Sequence, residues 1–253
     1  MISSKRIVSN LVDRGICHYK NKTNLSNIQR VKDILQIESD LHLEKKFDRK
    51  LKAKKPFLLL AGDIGYPFDK DYEDFISESS YFFNKVFVLS GNHEYDSLFY
   101  DKINGVRDTE NKIKSICDKR NNVFYLQKDT HVLDVNNKII LAGCTLWSRL
   151  PVSMSKYHYE HEEWLQNVIQ NNPNNNYVVA THHCPLYECL HKKYHTNTPN
   201  YFASDQTELI KKDNLICWIH GHNHLNKNIK IYGKWILSNQ YGSYKDPLWG
   251  YIS

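Results

Sequence analysis

The chain has 253 residues, 41% hydrophobic and 25% charged, with a formal net charge of +6. That balance suits an ordinary soluble globular protein long enough to bury a sizeable core. No run of about 18 apolar residues occurs, which excludes a membrane-spanning helix, and the basic excess is too small to indicate nucleic-acid binding by itself.

Residues 1–30 form a polar N-terminal extension of unclear structure, without a readable motif, and residues 31–253 read as one domain. Apolar runs then alternate with longer mixed segments. Strands are expected at Ile34 to Glu38, Phe57 to Ala61, Val86 to Leu89, Ile139 to Leu141, Tyr177 to Ala180 and Leu215 to Ile219. Most are rich in Val, Ile, Leu or Phe without alternation, the pattern of strands buried on both faces. Crossover helices around Tyr72 to Phe83 and Asp108 to Lys119 imply right-handed βαβ units. Val123 to Leu126, Val132 to Val135 and Lys138 to Leu141 are separated by turn-like Asn pairs and suggest hairpins. His161 to Gln170 has helical spacing, with Trp164, Leu165 and Val168 on one side.

The six cysteines, Cys17, Cys117, Cys144, Cys184, Cys189 and Cys217, lack paired zinc-finger spacing, and several lie in or beside apolar runs. With no hydrophobic secretory signal, a reducing compartment, the cytoplasm, is expected. The sequence cluster His182, His183, Cys184, Cys189 and His191 is irregularly spaced and interrupted by Pro185, which argues against a separate zinc site.

The chemistry gathers where strands end. The first run closes in Ser39-Asp40-Leu41-His42 and the second in Gly62-Asp63. Later runs close in Gly91-Asn92-His93-Glu94, Thr181-His182-His183 and His220-Gly221-His222-Asn223-His224. Ligands of open α/β sheets bind at the carboxyl ends of strands. Asp40 with His42, and His222 with His224, are spaced i and i+2, so in extended backbone each pair points one way. Glycines before Asp63, Asn92 and His222 are expected to let the backbone bend away from the strand. Carboxylate, imidazole and amide donors together suit Mn, Fe, Zn or Mg, not a thiolate-bound metal. Asp40, His42, Asp63, Asn92, His182, His222 and His224 are too many donors for one tetrahedral ion and about right for two. Singly, Asp-Leu-His or Gly-Asp is most often incidental; together, in order and at strand ends, the set is specific.

From about Asp33 to Tyr244 the sequence resembles the calcineurin-like metallophosphoesterases, whose pattern is Asp-x-His, Gly-Asp, Gly-Asn-His-Asp/Glu, a His, then Gly-His-x-His. The resemblance implies a four-layer α/β/β/α sandwich of two mixed sheets flanked by helices, an α/β fold. It implies a first metal held by Asp40, His42, Asp63 and His224, and a second held by Asp63, Asn92, His182 and His222. A metal-bridging hydroxide would attack a phosphate ester, His93 would act as general acid, and Asn92 could also touch the phosphate. Of the adjacent His182 and His183, the first, leaving the strand, is the expected ligand. The substrate would be a phosphate ester, with a nucleotide among the candidates. The alternatives are a nucleotide phosphodiesterase or nuclease with the same site, or a non-catalytic interaction module on this fold. Tyr66, Pro67 and Phe68 stand where protein phosphatases carry a second Asp and a phosphate-clamping Arg, which argues against that branch.

Two features bear on substrate. Lys45, Lys46, Arg49, Lys50, Lys52, Lys54 and Lys55 read first as a solvated connector and second as a phosphate-attracting rim. Trp147, Tyr194, His195, Tyr201 and Phe202 read first as packing and second as pocket walls. His18, His131, His158 and His161 receive no functional assignment.

Overall fold

Strands that are apolar at every position must be covered twice, and the chain solves this by facing two sheets together and coating each outer face with helices. The computed structural model describes residues 26–45, 51–98, 105–149, 152–192 and 199–241. In the first sheet β1 (Leu35–Glu38), β2 (Phe57–Ala61), β3 (Lys85–Leu89) and β4 (Val123–Tyr125) lie side by side in that order, all parallel. The second sheet is mixed, with order β5 (Asp129–Asp134), β6 (Ile139–Cys144), β7 (Asn176–Thr181), β8 (Leu215–Ile219), β10 (Lys234–Leu237), β9 (Ile229–Ile231).

Alternate side chains of one strand serve different layers. Leu59 and Ala61 of β2, with Phe87 and Leu89 of β3, meet Leu141, Val178, Ala180 and Ile219 of the second sheet in the central core. Leu58, Leu60, Val86 and Val88 point outward, against α2 (Lys70–Phe82) and α3 (Val106–Cys117). These helices bury Tyr72, Phe75, Ile76 and Ser79, and Thr109, Ile113, Ile116 and Cys117, one stripe on each. On the far side Ala142, Val179 and Trp218 pack against Leu165 and Ile169 of α4 (Val152–Asn171) and against Leu209 and Ile210 of a short helix (Thr207–Ile210). Each such large aliphatic side chain contributes about 1.5–3 kcal/mol relative to leaving it in water. The result is the expected α/β/β/α sandwich.

Five elements differ from the sequence expectation. Helix α1 (Asn27–Ile34) runs across residue 30, capped by the Ser26 side chain and burying Val31 and Ile34; residues 1–25 lie outside the described residues. Val123 to Leu126 belongs to no hairpin, because β4 pairs in parallel with β3, whereas β5 and β6 do form one. Helix α4 is twice the expected length, because buried His158 and His161 extend its inner face where no aliphatic residues mark it. Strands β9 and β10 are short, half-exposed and joined through Tyr232 and Gly233, whose φ values of 50° and 78° make a two-residue hairpin turn.

Candidate metal centre

Strands β1, β2 and β3 of one sheet and β7 and β8 of the other end at the same edge of the sandwich, and every predicted donor lies on the loops leaving them. Asp40, His42, Asp63, His222 and His224 all adopt left-handed backbone, with φ between 50° and 73°. Such backbone is uncommon outside glycine, though Asp and His tolerate it best, and it clusters where function demands it. The chain thereby turns abruptly after β1, β2 and β8, where it carries these donors.

The glycines play different parts from the expected one. Gly62 does take a positive φ of 88°. Gly91 and Gly221 provide room instead: a Cβ at Gly91 would lie 2.2 Å from Asp63 Oδ1, and one at Gly221 would lie 2.7 Å from Asp40 Oδ2.

Two groups of donors result. Asp40, His42, Asp63 and His224 offer ligand atoms all within 4.8 Å of one another, and Asp63, His182 and His222 do likewise. Asp63 is common to both. In the first group His224 Nε2 lies 3.2 Å from Asp40 Oδ1 and 3.3 Å from His42 Nε2. In the second, His182 Nε2 is 3.2 Å from both Asp63 Oδ2 and Asn92 Oδ1. His183 packs behind the donors, its ring 4.0 Å from that of His222 and 5.6 Å from that of Trp147, and its Nδ1 has no hydrogen-bond partner. The structure therefore brings His182, not His183, to the carboxylates.

The donor set fits divalent cations. In three rings the outward nitrogen is held by an acceptor: His42 Nδ1 by Glu44 Oε1 at 2.9 Å, His182 Nδ1 by the Ala61 carbonyl at 2.9 Å, and His222 Nε2 by the Tyr201 carbonyl at 3.2 Å. That leaves the inward nitrogen with its lone pair free for a metal, the arrangement of metal-binding histidines generally. Asp40 is also tied by the Ser39 hydroxyl at 2.5 Å and by the backbone N–H of His222 at 3.0 Å. The field matches. Burial works against the charge of Asp63, yet His182, His93 and His42 hold its carboxyl well below the usual range. Burial likewise opposes the charge of His182, and Asp63 outweighs it, raising the imidazole to about 9. The site thus favours positive charge, which a divalent cation would bring.

His93 sits beside both groups without joining the buried carboxylates. Its backbone N–H donates to Asp63 Oδ1 at 2.8 Å, its Nε2 is 4.0 Å from Asp63 Oδ2, and its ring centroid is 4.6 Å from that of His42. The His93 side chain is 35% exposed, against 1% for Asp63, so of the two it is the one open to solvent.

Glu94, the last residue of Gly-Asn-His-Glu, organises the site without being one of the expected donors. The buried Glu94 carboxylate accepts from the backbone N–H groups of Asp63, Ile64 and Gly91 at 3.0, 2.8 and 2.7 Å, pinning the β2 and β3 loops together. Burial and the neighbouring Asp63 push it up to about 7. Glu44, which holds His42, and Gln240, whose Oε1 accepts from the His224 N–H at 2.7 Å, were also invisible in the motifs. Of the suggested pocket walls, Phe202 lies 5.5 Å from the His222 ring and Trp147 is buried, while Tyr194 and His195 fall outside the described residues. In the basic run Lys52 and Lys54 are exposed, as a solvated connector requires, and residues 46–50 fall outside the described residues.

Metal-binding donor groups at the strand ends of this sandwich mark a metal-dependent phosphoester hydrolase. The chain belongs to the calcineurin-like phosphoesterase family, whose sequence profile matches residues 29–226. It is 27% identical over 223 residues to an uncharacterized protein of Acanthamoeba polyphaga mimivirus, covering 74% of this chain and 78% of that one. Among solved structures it is similar to the phosphopantetheinyl hydrolase PptH of Mycobacterium tuberculosis, with a TM-score of 0.63 and 17% identity, covering 85% of this chain and 94% of that chain. At that identity the likeness speaks for the fold. Among the described residues no helix is long and apolar enough to cross a membrane.

Proposed function

We propose that the protein hydrolyses phosphate esters with two divalent cations, the first held by Asp40, His42, Asp63 and His224 and the second by Asp63, Asn92, His182 and His222. The observation that carries this reading is the position of Asp63, the one carboxylate among the described residues that is common to both donor groups. Bound there, the cations would make a water nucleophilic at neutral pH and offset the charge of the phosphate. The residues of the chain do the rest. Asp63 fixes the spacing of the two groups, and Glu94 fixes Asp63 by holding its backbone N–H. The Asn92 amide lies beside His182 at the mouth of the second group, where it can both ligate and meet a phosphoryl oxygen. His93, half-exposed and 4.0 Å from the Asp63 carboxylate, delivers a proton from Nε2 to the departing alkoxide, a task suited to imidazole near neutral pH.

The substrate class follows from a panel: p-nitrophenyl phosphate, its bis-ester, cyclic nucleotides, single-stranded nucleic acid and, prompted by the name of the mycobacterial neighbour, a phosphopantetheinyl ester, each with added Mn2+. Turnover that needs the metal and stops with chelator is expected. Two equivalents of tightly bound metal with no turnover on any ester would overturn the hydrolytic reading and leave an interaction module. The five described cysteines are all buried and free, which favours a reducing compartment, the cytoplasm.

A further inference from the structure

Behind the loops that carry His182 and His222 lies a second group of donors of different chemistry. Cys184, Cys189 and His220 are each fully buried, and their two Sγ atoms and one ring nitrogen all lie within 4.8 Å of one another. Sequence spacing argues against a zinc site in the run His182 to His191, which is irregular and interrupted by Pro185, and in the structure His191 is exposed. The fold changes that by delivering His220 from the end of β8, thirty-six positions beyond Cys184. We propose that Cys184, Cys189 and His220 form a separate site for a single thiophilic divalent cation, of the kind Zn2+ represents, that ties the loop after β7 to the loop after β8.

The geometry is that of a site close to assembled. Cys184 Sγ is 4.0 Å from His220 Nε2, whereas sulfur and nitrogen ligands of one tetrahedral zinc sit roughly 3.5–4 Å apart. His220 Nδ1 lies 3.0 Å from the Gly221 carbonyl, to which it donates, so that Nε2 faces the sulfurs with its lone pair. The Cys184 thiol donates to the Leu186 carbonyl at 3.2 Å, and once that proton has left the carbonyl would be available as a fourth donor. The backbone is held as well: the Cys189 N–H donates to the Leu186 carbonyl at 3.2 Å, and Asn223 Nδ2 donates to the Cys189 carbonyl at 3.1 Å. Charge decides between this ion and a harder one. Two thiolates and a neutral imidazole around a divalent cation sum to zero once both thiol protons have left, and a neutral cluster is what the surrounding apolar core can hold. Two sulfurs select a soft or borderline ion, while the oxygen-rich pair of groups nearby suits harder ones. Because Cys184 is two residues from His182 and His220 is two residues from His222, an ion here would fix both loops of the neighbouring centre. The competing reading is that the two thiols simply fill the core as small hydrophobes, as the other buried cysteines do.

Cobalt separates the two, because only a thiolate ligand gives a thiolate-to-cobalt charge-transfer band in the near ultraviolet, and the oxygen- and nitrogen-bound centre cannot. The full chain is produced in cobalt-supplemented medium, so that a buried site can fill as the chain folds, and is purified with reductant. The expected result is that band at about one equivalent of cobalt, lost in Cys184→Ala and in Cys189→Ala and retained in Asp63→Ala, which disturbs only the other centre. Cobalt-loaded protein without the band, or a band that survives Cys184→Ala together with Cys189→Ala, overturns the site. A band that disappears in Asp63→Ala overturns its independence.

Discussion

His93 and Asp63 are joined by one backbone hydrogen bond yet have separable duties, and substitution distinguishes them. His93→Ala removes no predicted metal donor, so the two equivalents held at the strand-end centre are expected to stay while kcat falls roughly 10²–10⁴-fold, the usual contribution of a positioned acid. The loss should shrink for p-nitrophenyl leaving groups, which need little protonation. Unchanged kcat on an alkyl phosphate would remove His93 from the proton-transfer role. Gly91 is tested differently. In Gly91→Ala the new methyl meets Asp63 Oδ1 at 2.2 Å, Asp63 N at 2.6 Å and His182 Cε1 at 2.6 Å, three atoms fixed by their own bonds. The clash has to displace Asp63 or His182, and a shift of about 1 Å in such a site costs on the order of 10²-fold in rate. Steady-state kinetics with metal titration reads this; near-normal activity would mean that the β3 loop yields instead.

Helix α4 shows how an element can depend on a titratable residue. His161 is 2% exposed and its Nδ1 accepts the backbone N–H of Leu146, which docks the helix against the loop after β6. Burial, with Lys128 and His158 nearby, pulls its pKa down to about 3. The unfolded chain, with a His pKa of about 6.5, takes up the proton first as pH falls. Stability from this group is therefore complete above about pH 6.5 and is lost progressively towards pH 3. At pH 5 the loss is about 2 kcal/mol, from about 1.5 pH units at 1.36 kcal/mol each. Urea unfolding of wild type and His161→Gln at pH 7 and pH 5 isolates it: the variant should lose about 2 kcal/mol less over that interval, and equal losses would refute the assignment. The same helix marks where sequence stops being legible. Its second half announces itself through Trp164, Leu165 and Val168, but the first half is inward-facing through histidine, which looks polar in sequence. Strands β2 and β8 were legible to the residue, because a non-alternating apolar run ending in a polar residue has few other uses. The short strands β9 and β10 carry no such run. At the site, the donors on strand ends could be read because motif and position coincide, whereas Glu94, Glu44 and Gln240 act through backbone N–H groups and a ring nitrogen that only the folded chain brings to them.

For the whole molecule, what matters is which sheet each donor comes from. Asp40, His42, Asp63 and Asn92 leave the parallel sheet, whereas His182, His222 and His224 leave the mixed one. Both proposed cation groups draw from both sheets, so each ion would tie the two halves of the sandwich together across the open end of the central core. Without cations that end holds Asp40 and Asp63 buried at 0% and 1% exposure, along with several left-handed residues and facing imidazole nitrogens. Anything that binds the folded state alone stabilises it by RT ln(1 + [L]/Kd), about 2.7 kcal/mol at a free concentration of 100 Kd. For a domain of this size that corresponds to a rise in Tm of about 5–10 °C. Thermal unfolding with Mn2+ against chelator should show this increment in wild type and none in Asp63→Ala, which removes the shared carboxylate. An increment that survives in Asp63→Ala would mean that the ions bind independently of the bridge, and none in wild type would mean that the sheets meet without them. His93→Ala serves as the opposing control, because it should keep the full increment while losing turnover, separating what holds the sandwich closed from what moves the proton.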